Sequence, residues 1–432
     1  MSTSKALTKI QSIILIAVIA VAALGGAAYV WLSGESQSSD SIKIGVLCDL
    51  DGSEKETFQG VKLAAEQINA EGGILGRQVE VIGEDHDGGV DPILTTTALN
   101  KLITNHKVDF LIGGTVTTGL TVQEIIAQHK KIFISVTSIP EMCEQQVLDD
   151  YDKYKYYFAV GFNESSVFPA MTNSIVGLRQ NTGFNKIGYI GIDGDWINSM
   201  MDELDASFLE NGFETVYRRT YPPDTMDFSS YFAAAEAAGV EVMITMIHLS
   251  EGIPFVKEWY DRQSPIFLFG GYNAMASSPD SYEWTDGKCE DTCITTSPIG
   301  AGYPFTSKTL PTLEAYIERW GETPTTATGY EILRFILADA IERAGTIETE
   351  AVIKALEETS VETANARNFV FTPSHGVMRG TDPNDPEADF PISLTFQWQN
   401  GKLVPVDPTK IMEEAGATIT FPDWPGPWDR IS

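Results

Sequence analysis

The chain has 432 residues, so more than one hydrophobic core is expected, because single cores stop growing at about 250–300 residues. A hydrophobic content of 43% is that of a globular protein and excludes a disordered one. The formal net charge of −31 disfavours nucleic acid and anionic membrane surfaces as partners. We interpret this acidity as a charge that keeps an exposed protein soluble, or as adaptation to a saline habitat.

The first feature in chain order is an uninterrupted apolar run at residues 13–32, preceded by Lys5 and Lys9. About 20 apolar residues are needed to cross ~30 Å of hydrocarbon, and the apolar core of a signal peptide is usually shorter. The run therefore predicts an uncleaved membrane anchor; a signal peptide removed among the small residues 22–28 is the alternative. In either case the lysines place the body of the protein on the extracytoplasmic side. Residues 33–41 are then a short polar tether.

Strands and helices alternate after the tether. Short apolar runs predict strands at residues 42–47, 79–82 and 108–112. Between them lie a helix with apolar side chains at helical spacing over residues 58–68 and a second helix opened by Asp91-Pro92. This alternation is typical of a parallel sheet covered on both faces. Ligands bind such sheets beyond the carboxyl ends of the strands, so the loops that follow the strands are the candidate site.

The same alternation recurs further along the chain. A fourth strand is predicted at residues 131–136, and residues 156–160 begin a crossing out of the first domain. Strands at residues 186–192, 241–247 and 265–269 then build a second domain with helices between them. The sequence therefore predicts two α/β domains, each with a largely parallel sheet.

Residues 68–77 read Ile-Asn-Ala-Glu-Gly-Gly-Ile-Leu-Gly-Arg. They resemble the signature of the periplasmic binding proteins of ABC importers, of the branched-chain amino acid and amide type. Three further segments match in the same order: residues 111–119 are similar to the glycine–serine ligand loop, 134–138 to the next loop and 396–402 to the C-terminal strand. The resemblance covers nearly all of the chain after residue 42.

The resemblance implies an α/β fold of two doubly wound parallel-sheet lobes joined by a three-crossing hinge, the type I periplasmic binding protein fold. It divides the chain into residues 1–41 as the anchor or signal segment with its tether, 42–157 and 298–371 as lobe I, and 158–297 and 372–432 as lobe II with the C-terminal tail. Two lobes on a hinge form a cleft that closes around a ligand.

The function that the resemblance implies is extracytoplasmic solute binding, without a cofactor. The cleft would capture a branched-chain or other amino acid, or a short amide or urea, and deliver it to an ABC permease driven by a separate ATPase. A ligand-sensing surface receptor component and a surface amidase or esterase are the alternatives. The sequence has no serine-nucleophile elbow, zinc-protease helix or Cys–His arrangement, which argues against an enzyme. No second membrane segment or signalling domain is visible, which argues against a receptor.

The ligand loop is predicted at residues 113–119, where glycines and hydroxyls follow a strand and precede a helix. Free amide donors and the helix dipole at such a point suit a carboxylate or a carbonyl oxygen. The alignment with the family's ligand loop is ambiguous by one residue, so Thr117 and Thr118 are both candidates for ligand contact. The alternative is an ordinary turn with a helix cap and no ligand contact. Thr137 and Ser138 follow the fourth strand, where related proteins offer a hydroxyl and a carbonyl to a ligand ammonium. Capping of the next helix is the alternative there.

The resemblance implies four further ligand residues, Tyr157, Asp193, Trp196 and Tyr272. Amino-acid binders of this family often place a glutamate near the position of Tyr272, where it pairs with the ligand ammonium. Because this glutamate is absent here, amides and urea remain candidate ligands. Asp193, Asp195 or Glu251 are the candidate anions that would take its place. Packing roles for Trp196 and Tyr272 are the alternative, because an aromatic side chain near a turn usually lies in a core.

The four cysteines suit an oxidising, extracytoplasmic setting. Cys289 and Cys293 are close enough in sequence to form a small disulfide loop. Cys48 and Cys143 both follow predicted strands of the first sheet and are a second candidate pair. The sequence leaves the connectivity open, because four cysteines allow more than one pairing.

The trio Asp85-His86-Asp87 has the residue types of a metal site. Adjacent residues on a strand point to opposite sides, so three in a row do not converge on one ion. The acidic stretch at residues 49–53 is too short for a calcium loop. The resemblance implies an aspartate that forms a turn in this crossover, so we predict a turn at Asp85 and no metal site in either segment.

The apolar run makes a testable prediction about attachment. If residues 13–32 are an anchor, the protein should stay with membranes after a high-salt wash, because hydrophobic burial is not screened by salt. Mass spectrometry of the native N-terminus decides between the two interpretations. A mature start between residues 22 and 41 would identify the run as a removed signal peptide.

Overall fold

The computed structural model describes residues 41–52, 54–87, 91–114, 118–137, 142–161, 164–247, 249–273, 280–378 and 394–430. The apolar run at residues 13–32 lies outside these ranges, so the predicted anchor is not tested by them. Within the ranges given, no helix is long and apolar enough to cross a membrane.

The first sheet contains five parallel strands in the order β2-β1-β3-β4-β5. The strands are β1 (Ile42–Cys48), β2 (Val79–Asp85), β3 (Phe110–Gly113), β4 (Phe133–Ser135) and β5 (Tyr157–Ala159). The helices that connect them are α1 (Lys55–Ala70), α2 (Pro92–Asn100, extended by a π-helical turn over Lys101–His106), α3 (Gly119–His129), α4 (Met142–Asp149) and α5 (Tyr151–Tyr154). The predicted strand–helix alternation is present, with β2 three residues longer than the apolar run suggested.

The family signature at residues 68–77 has a structural explanation at the end of α1. The Asn69 side chain donates to the Val79 carbonyl at 2.8 Å and accepts from the Val79 N–H at 2.7 Å, which ties α1 to the start of β2. Gly73 has φ +84° and donates its N–H to the Ile68 carbonyl at 2.9 Å. A Cβ at Gly73 would overlap the Arg77 carbonyl, so this left-handed turn requires glycine.

The second sheet contains seven strands in the order β14-β13-β10-β9-β8-β6-β7. The strands are β6 (Lys186–Ile192), β7 (Glu214–Tyr221), β8 (Val242–Ile247), β9 (Phe267–Asn273), β10 (Cys293–Thr296), β13 (Leu394–Gln399) and β14 (Lys402–Asp407). Strands β6 to β10 are parallel, and β13 and β14 form an antiparallel hairpin added beside β10. The accompanying helices are α6 (Glu164–Thr182), α7 (Asp195–Glu210), α8 (Ser229–Ala238), α9 (Leu249–Arg262) and α10 (Ser281–Trp284).

The segment between β10 and β13 returns to the first sheet. It contains α11 (Pro298–Ala301), α12 (Thr309–Trp320), α13 (Thr328–Glu331), a π-helical turn (Ile332–Leu337), α14 (Ala338–Ala344), α15 (Thr349–Glu357) and the short pair β11 (Ser360–Val361) and β12 (Phe369–Val370). Its buried side chains, such as Leu333 and Ile336, share one hydrophobic core with β1 to β5. A separate core lies around β6 to β10 and the hairpin, and includes Trp424 and Trp428 of the tail, which contains α16 (Thr409–Glu414) and a 3₁₀ turn (Pro427–Arg430).

The disulfides expected from the sequence are not formed. Cys48 and Cys143 are buried in the first core, and Cys289 and Cys293 are buried in the second. Burial raises the pKa of the Cys48, Cys289 and Cys293 thiols, so these side chains remain protonated and pack as small apolar groups. Nearness in sequence suggested the 289–293 loop, but a disulfide depends on the relative position of the two Cβ atoms, which the tertiary packing decides.

A buried carboxyl group ends β14. Asp407 accepts a hydrogen bond from the Ser174 hydroxyl at 2.7 Å, and that hydroxyl also lies 3.0 Å from the Thr395 hydroxyl. These three side chains line a cavity of about 20 Å³ beside Cys293, close to the volume that one water occupies. Burial raises the pKa of Asp407 to about 6, against the opposing effect of the Ser174 hydrogen bond.

Asp407→Asn should remove part of the pH dependence of stability. An ordinary aspartate has a pKa of about 3.9, so between that value and about 6 the folded protein binds more protons than the unfolded chain. The stability from this group is therefore fully present below about pH 3.9 and is lost as pH rises from there through about 6, by up to about 3 kcal/mol. In thermal melting, the melting temperature of Asp407→Asn relative to that of the wild type should be higher near pH 7.5 than near pH 4.5.

The control is Met226→Gln, which changes an exposed side chain that has no titratable group. Its difference from the wild type should be the same at both pH values. An Asp407→Asn difference that does not grow with pH would contradict the raised pKa of Asp407 described above.

Candidate functional site

The two sheets share one strand order, and each has one reversal of that order. The first runs β2-β1-β3 and the second β7-β6-β8. Successive strands are therefore added on one side of β1 and then on the other, and the same happens at β6, so the order reverses between β1 and β3 and between β6 and β8. In doubly wound sheets, ligands bind in the crevice at the carboxyl ends of the strands on either side of such a reversal. The loops after these four strands are therefore the candidate site.

At the first reversal, β1 and β3 approach so closely that only glycine fits after β3. A Cβ at Gly113 would overlap the Leu47 carbonyl, and a Cβ at Gly114 would overlap the Glu54 carboxylate. The Gly114 N–H donates to the Leu47 carbonyl at 3.1 Å. The Gly-Gly pair thus serves close backbone packing, and a carboxylate that the sequence did not single out lies against the predicted ligand loop.

Thr118 immediately precedes α3, but its side chain does not cap the helix. Its hydroxyl makes no hydrogen bond to the first turn, while its carbonyl accepts from the Val122 N–H at 3.0 Å. The side chain is 1% exposed, and the hydroxyl has no hydrogen-bond partner within the described part of the chain. Buried hydroxyls are normally satisfied, so this one is a group that a ligand could complete. Thr117 and Ser138 lie outside the described residues.

Thr137 lies at the same edge, beyond β4. Its N–H donates to the Ser135 hydroxyl at 3.2 Å, and the two hydroxyl oxygens are 3.4 Å apart. The Val136 N–H donates to the Gly113 carbonyl at 2.9 Å, which continues the β3–β4 pairing up to Thr137. Thr137 is partly exposed, and the structure therefore brings its hydroxyl to the edge that also carries Gly114.

His86 and Glu54 form an ion pair at the first reversal, and sequence analysis missed it. The His86 Nε2 atom lies 3.0 Å from Glu54 Oε2, and the histidine side chain is fully buried. Glu54 Oε2 also accepts from the Asp49 N–H at 3.1 Å. Burial alone would lower the pKa of His86, but the contact with the Glu54 carboxylate raises it above the ordinary value. The trio of residues 85–87 was the available signal, although it suggested a metal.

The neighbours of His86 make turns. Asp85 accepts from the Asp87 N–H at 2.7 Å and from the Leu50 N–H at 3.2 Å, which is the turn predicted for this segment. Across the described ranges, no group of three histidine, cysteine, aspartate or glutamate side chains could hold a metal ion.

At the second reversal, Asp193 is exposed directly after β6. Its N–H donates to the Tyr221 carbonyl at 2.8 Å, which holds the ends of β6 and β7 together. Glu251, another anion expected from the sequence, is buried in the first turn of α9 and accepts from the Asp224 N–H at 3.0 Å. Glu251 therefore fixes the loop after β7, and Asp193 is an exposed carboxylate at this edge.

The remaining predicted residues are placed as follows. Asp195 and Trp196 begin α7, and Tyr272 lies in β9 opposite Met246 of β8, with their side chains outside the described part. Tyr157 begins β5 of the first sheet and is fully buried, with its ring stacked on Phe133 at 6.2 Å and 7°. The structure thus places Tyr157 in the first core and not among the loops at the carboxyl ends.

Comparison with known proteins gives one consistent result. The sequence profile of the periplasmic binding protein family matches residues 41–381. The Leu/Ile/Val-binding protein homolog 7 of Brucella abortus (strain 2308) is 23% identical over 395 residues, which cover 87% of this chain and 94% of the relative.

Two solved structures have the same fold. An ABC transporter substrate-binding protein from Sphaerobacter thermophilus superposes with a TM-score of 0.66 at 21% identity, covering 85% of this chain and 97% of that one. A leucine binding protein from Thermotoga maritima superposes with a TM-score of 0.63 at 18% identity, covering 84% of this chain and 97% of that one. The fold predicted from the sequence, two parallel-sheet α/β lobes of the type I class, is confirmed, and the chain belongs to the periplasmic binding protein family.

Proposed function

We propose that this protein is an extracytoplasmic solute-binding protein that traps a small polar ligand between its two lobes and delivers it to an ABC permease. A separate ATPase supplies the energy. The observation that carries the proposal is the pair of sheets with one shared strand order, each with a reversal of that order at its carboxyl edge. Family membership over residues 41–381 supports the same conclusion.

The lobes are proposed to divide as the family pattern implies. Lobe I comprises residues 42–157 and 298–371, and lobe II comprises residues 158–297 and 372–432. Support comes from the two separate hydrophobic cores, which follow this division except beside the crossings, where Phe158, Ala159 and Val377 pack in the first core and Ala301 and Phe305 in the second. Residues 1–41 are proposed to tether the protein to the outer face of the cell membrane, with release as a secreted protein if residues 13–32 are removed.

The ligand is proposed to be an amino acid, a short amide or urea. Lobe I contributes hydroxyls from Thr117 or Thr118, Thr137 and Ser138, and lobe II contributes Asp193, Trp196 and Tyr272. Hydroxyls accept and donate, and Asp193 accepts, so the set suits a ligand that carries both a carbonyl or carboxylate oxygen and N–H groups. Tyr157 is assigned a packing role in lobe I because of its stacking on Phe133.

A ligand that fits should stabilise the protein and close it. In a thermal-shift screen of amino acids, urea and short amides, a ligand at about 100 times its Kd adds about 2.7 kcal/mol, because it binds only the folded state. Small-angle scattering with the best compound should then show a smaller radius of gyration, because the lobes close over it. A saturating ligand that leaves the radius unchanged would count against closure, and turnover of the compound would count against a pure binding protein.

Thr118→Val should separate ligand binding from helix capping. The change keeps the shape and deletes a buried hydroxyl that has no partner among the described residues, so the melting temperature should stay the same or rise. Ligand affinity should fall by one hydrogen bond, about 0.5–3 kcal/mol, which is a few-fold to roughly hundredfold. Calorimetry and melting of the same samples measure both quantities. Thr117→Val is made in parallel because the register left both threonines as candidates.

The matched control for Thr118→Val is Ser264→Ala. Ser264 is also fully buried with a hydroxyl that lacks a partner in the described chain, but it precedes β9 and so lies at the amino end of that strand. Its loss should leave affinity unchanged. If Thr118→Val and Thr117→Val both keep full affinity and either lowers the melting temperature, the threonines are structural and the assignment is wrong.

A further inference from the structure

Residues 371–377 form a tight hairpin directly after β12. Its two ends pair as an antiparallel bridge. The Thr372 N–H donates to the Gly376 carbonyl at 2.8 Å, and the His375 N–H donates to the Thr372 carbonyl at 2.9 Å. We call these residues the hinge hairpin, because they follow the last strand pair packed on the first sheet and precede strand β13 of the second.

The hinge hairpin lies against the edge of the first sheet. Strand β5 is the last strand of that sheet, and an edge strand presents backbone N–H groups that need an acceptor. The Ala159 N–H donates to the His375 carbonyl at 2.9 Å. His375 has φ +63°, a left-handed conformation in which histidine is enriched over most residues. The backbone of the hairpin thus supplies the acceptor that the end of β5 needs.

The His375 side chain contacts three elements of the first lobe. Its ring is stacked on Phe158 of β5, with centroids 4.0 Å apart and an interplanar angle of 6°. Its Nδ1 atom lies 3.1 Å from the Tyr157 carbonyl oxygen, and its Nε2 atom lies 3.1 Å from Glu357 Oε1 on α15. The same Glu357 oxygen accepts from the Tyr151 hydroxyl of α5 at 2.6 Å. His375 is 1% exposed, so its polar contacts are made out of water, where they are electrostatically stronger.

The rest of the hinge hairpin fits against α4 and the first core. The Ser374 hydroxyl donates to Glu144 Oε2 at 3.2 Å, and a Cβ at Gly376 would overlap the Glu144 carboxylate. Phe371 and Val377, at the two ends of the hairpin, are buried in the first hydrophobic core. The hairpin is therefore joined to the first lobe at its turn and at both ends.

We infer that His375 is a positioning residue of the hinge, which holds the hinge hairpin on the first lobe so that the hairpin and β5 move as one body when the cleft closes. The Val160 N–H donates to the Ser135 carbonyl at 2.9 Å, so β5 is itself fixed in the sheet up to that residue. The first-lobe ends of the first and third crossings are thereby joined to each other. The lobe division proposed above shifts accordingly, and residues 372–377 belong to the first lobe.

The contacts favour this motion over the alternative. A hairpin that followed the second lobe would have to break them each time the cleft closed. That would expose Phe371 and Val377 and remove the acceptor of the Ala159 N–H. Exposed apolar surface and unsatisfied buried donors both cost free energy. Closure with the hairpin fixed on the first lobe breaks none of these contacts.

The first test needs no ligand. Hydrogen exchange in the full chain is followed for peptides spanning residues 368–378 and 155–161, with residues 242–247 of the second lobe as the reference. His375→Asn keeps a residue type that tolerates the left-handed conformation and removes the ring. Both first-lobe peptides should exchange a few-fold to about a hundredfold faster, because two polar contacts and a stacked ring are lost. The reference should not change.

A second variant removes the contact from the other side. Glu357→Ala leaves the hairpin sequence intact, should also speed exchange in the 368–378 peptide, and serves as the test if His375→Asn does not fold. The double variant should exchange no faster than His375→Asn, because the two residues act through one contact. Additive effects, or exchange at the wild-type rate in both single variants, would overturn the role of His375.

The matched control is His106→Asn. His106 also lies 3.0 Å from a glutamate, Glu84, but Glu84 belongs to β2, at the opposite edge of the five-stranded sheet from β5. This variant should leave exchange of both first-lobe peptides unchanged. If it speeds them as much as His375→Asn does, the effect is a general loss of stability and the inference fails.

The last test measures the motion, and it rests on the cleft closure proposed above. Nitroxide labels are placed at Pro373→Cys together with Thr104→Cys in the first lobe or Ala237→Cys in the second. All three positions are exposed, and the native cysteines are buried. On addition of L-leucine or urea, the distance between labels 373 and 104 should stay the same, and that between labels 373 and 237 should change.

The outcomes separate the hinge hairpin from the proposed function. A ligand-induced change between labels 373 and 104, with none between 373 and 237, would place the hairpin on the second lobe and overturn the inference. If neither probe changes either distance, closure around these ligands loses support, and the exchange test by itself decides whether His375 holds the hairpin.

Discussion

Close backbone approach between β1 and β3 is the constraint on which the rest of the proposed ligand edge depends. Both strands lie inside a parallel sheet that helices cover on each face, so their carboxyl ends have no free space beside them. The Leu47 carbonyl and the Glu54 carboxylate occupy the places that side chains at Gly113 and Gly114 would need. Gly113 is therefore required by backbone packing before any ligand is considered, whereas a side chain at Gly114 would have to displace the Glu54 carboxylate.

The core of the first lobe is built from two separate stretches of chain. The Glu56 carboxylate on α1 accepts from the N–H groups of Thr325, Thr326 and Ala327 at 2.7, 2.9 and 2.7 Å. These bonds fix the start of α13, whose continuation buries its apolar side chains in the first core. The chain must leave for the second sheet and return to complete that core. The chain therefore crosses between the two sheets more than once, as the proposed closing cleft requires.

Several features could not be predicted because they depend on contacts between distant segments. Strand β7 is an edge strand in which Tyr217 and Tyr221 are buried and the polar and charged residues around them are partly or fully exposed, and this pattern is weaker than a buried apolar run. The prediction of disulfides was wrong because a short spacing in sequence says little about the relative position of two Cβ atoms inside a core. The Glu54–His86 pair joins residues 32 positions apart, and only their arrival at one sheet edge reveals it.

The sequence by itself determined the two α/β lobes and the strand–helix alternation, because apolar periodicity is a local property. It also located the loops at Gly113 and Val136, since the carboxyl ends of parallel strands meet at one edge. Only the tertiary structure decided that Thr118 is a buried hydroxyl without a described partner and that Tyr157 lies in a core. Burial and hydrogen bonding depend on which surfaces meet in three dimensions, and spacing along the chain does not specify that.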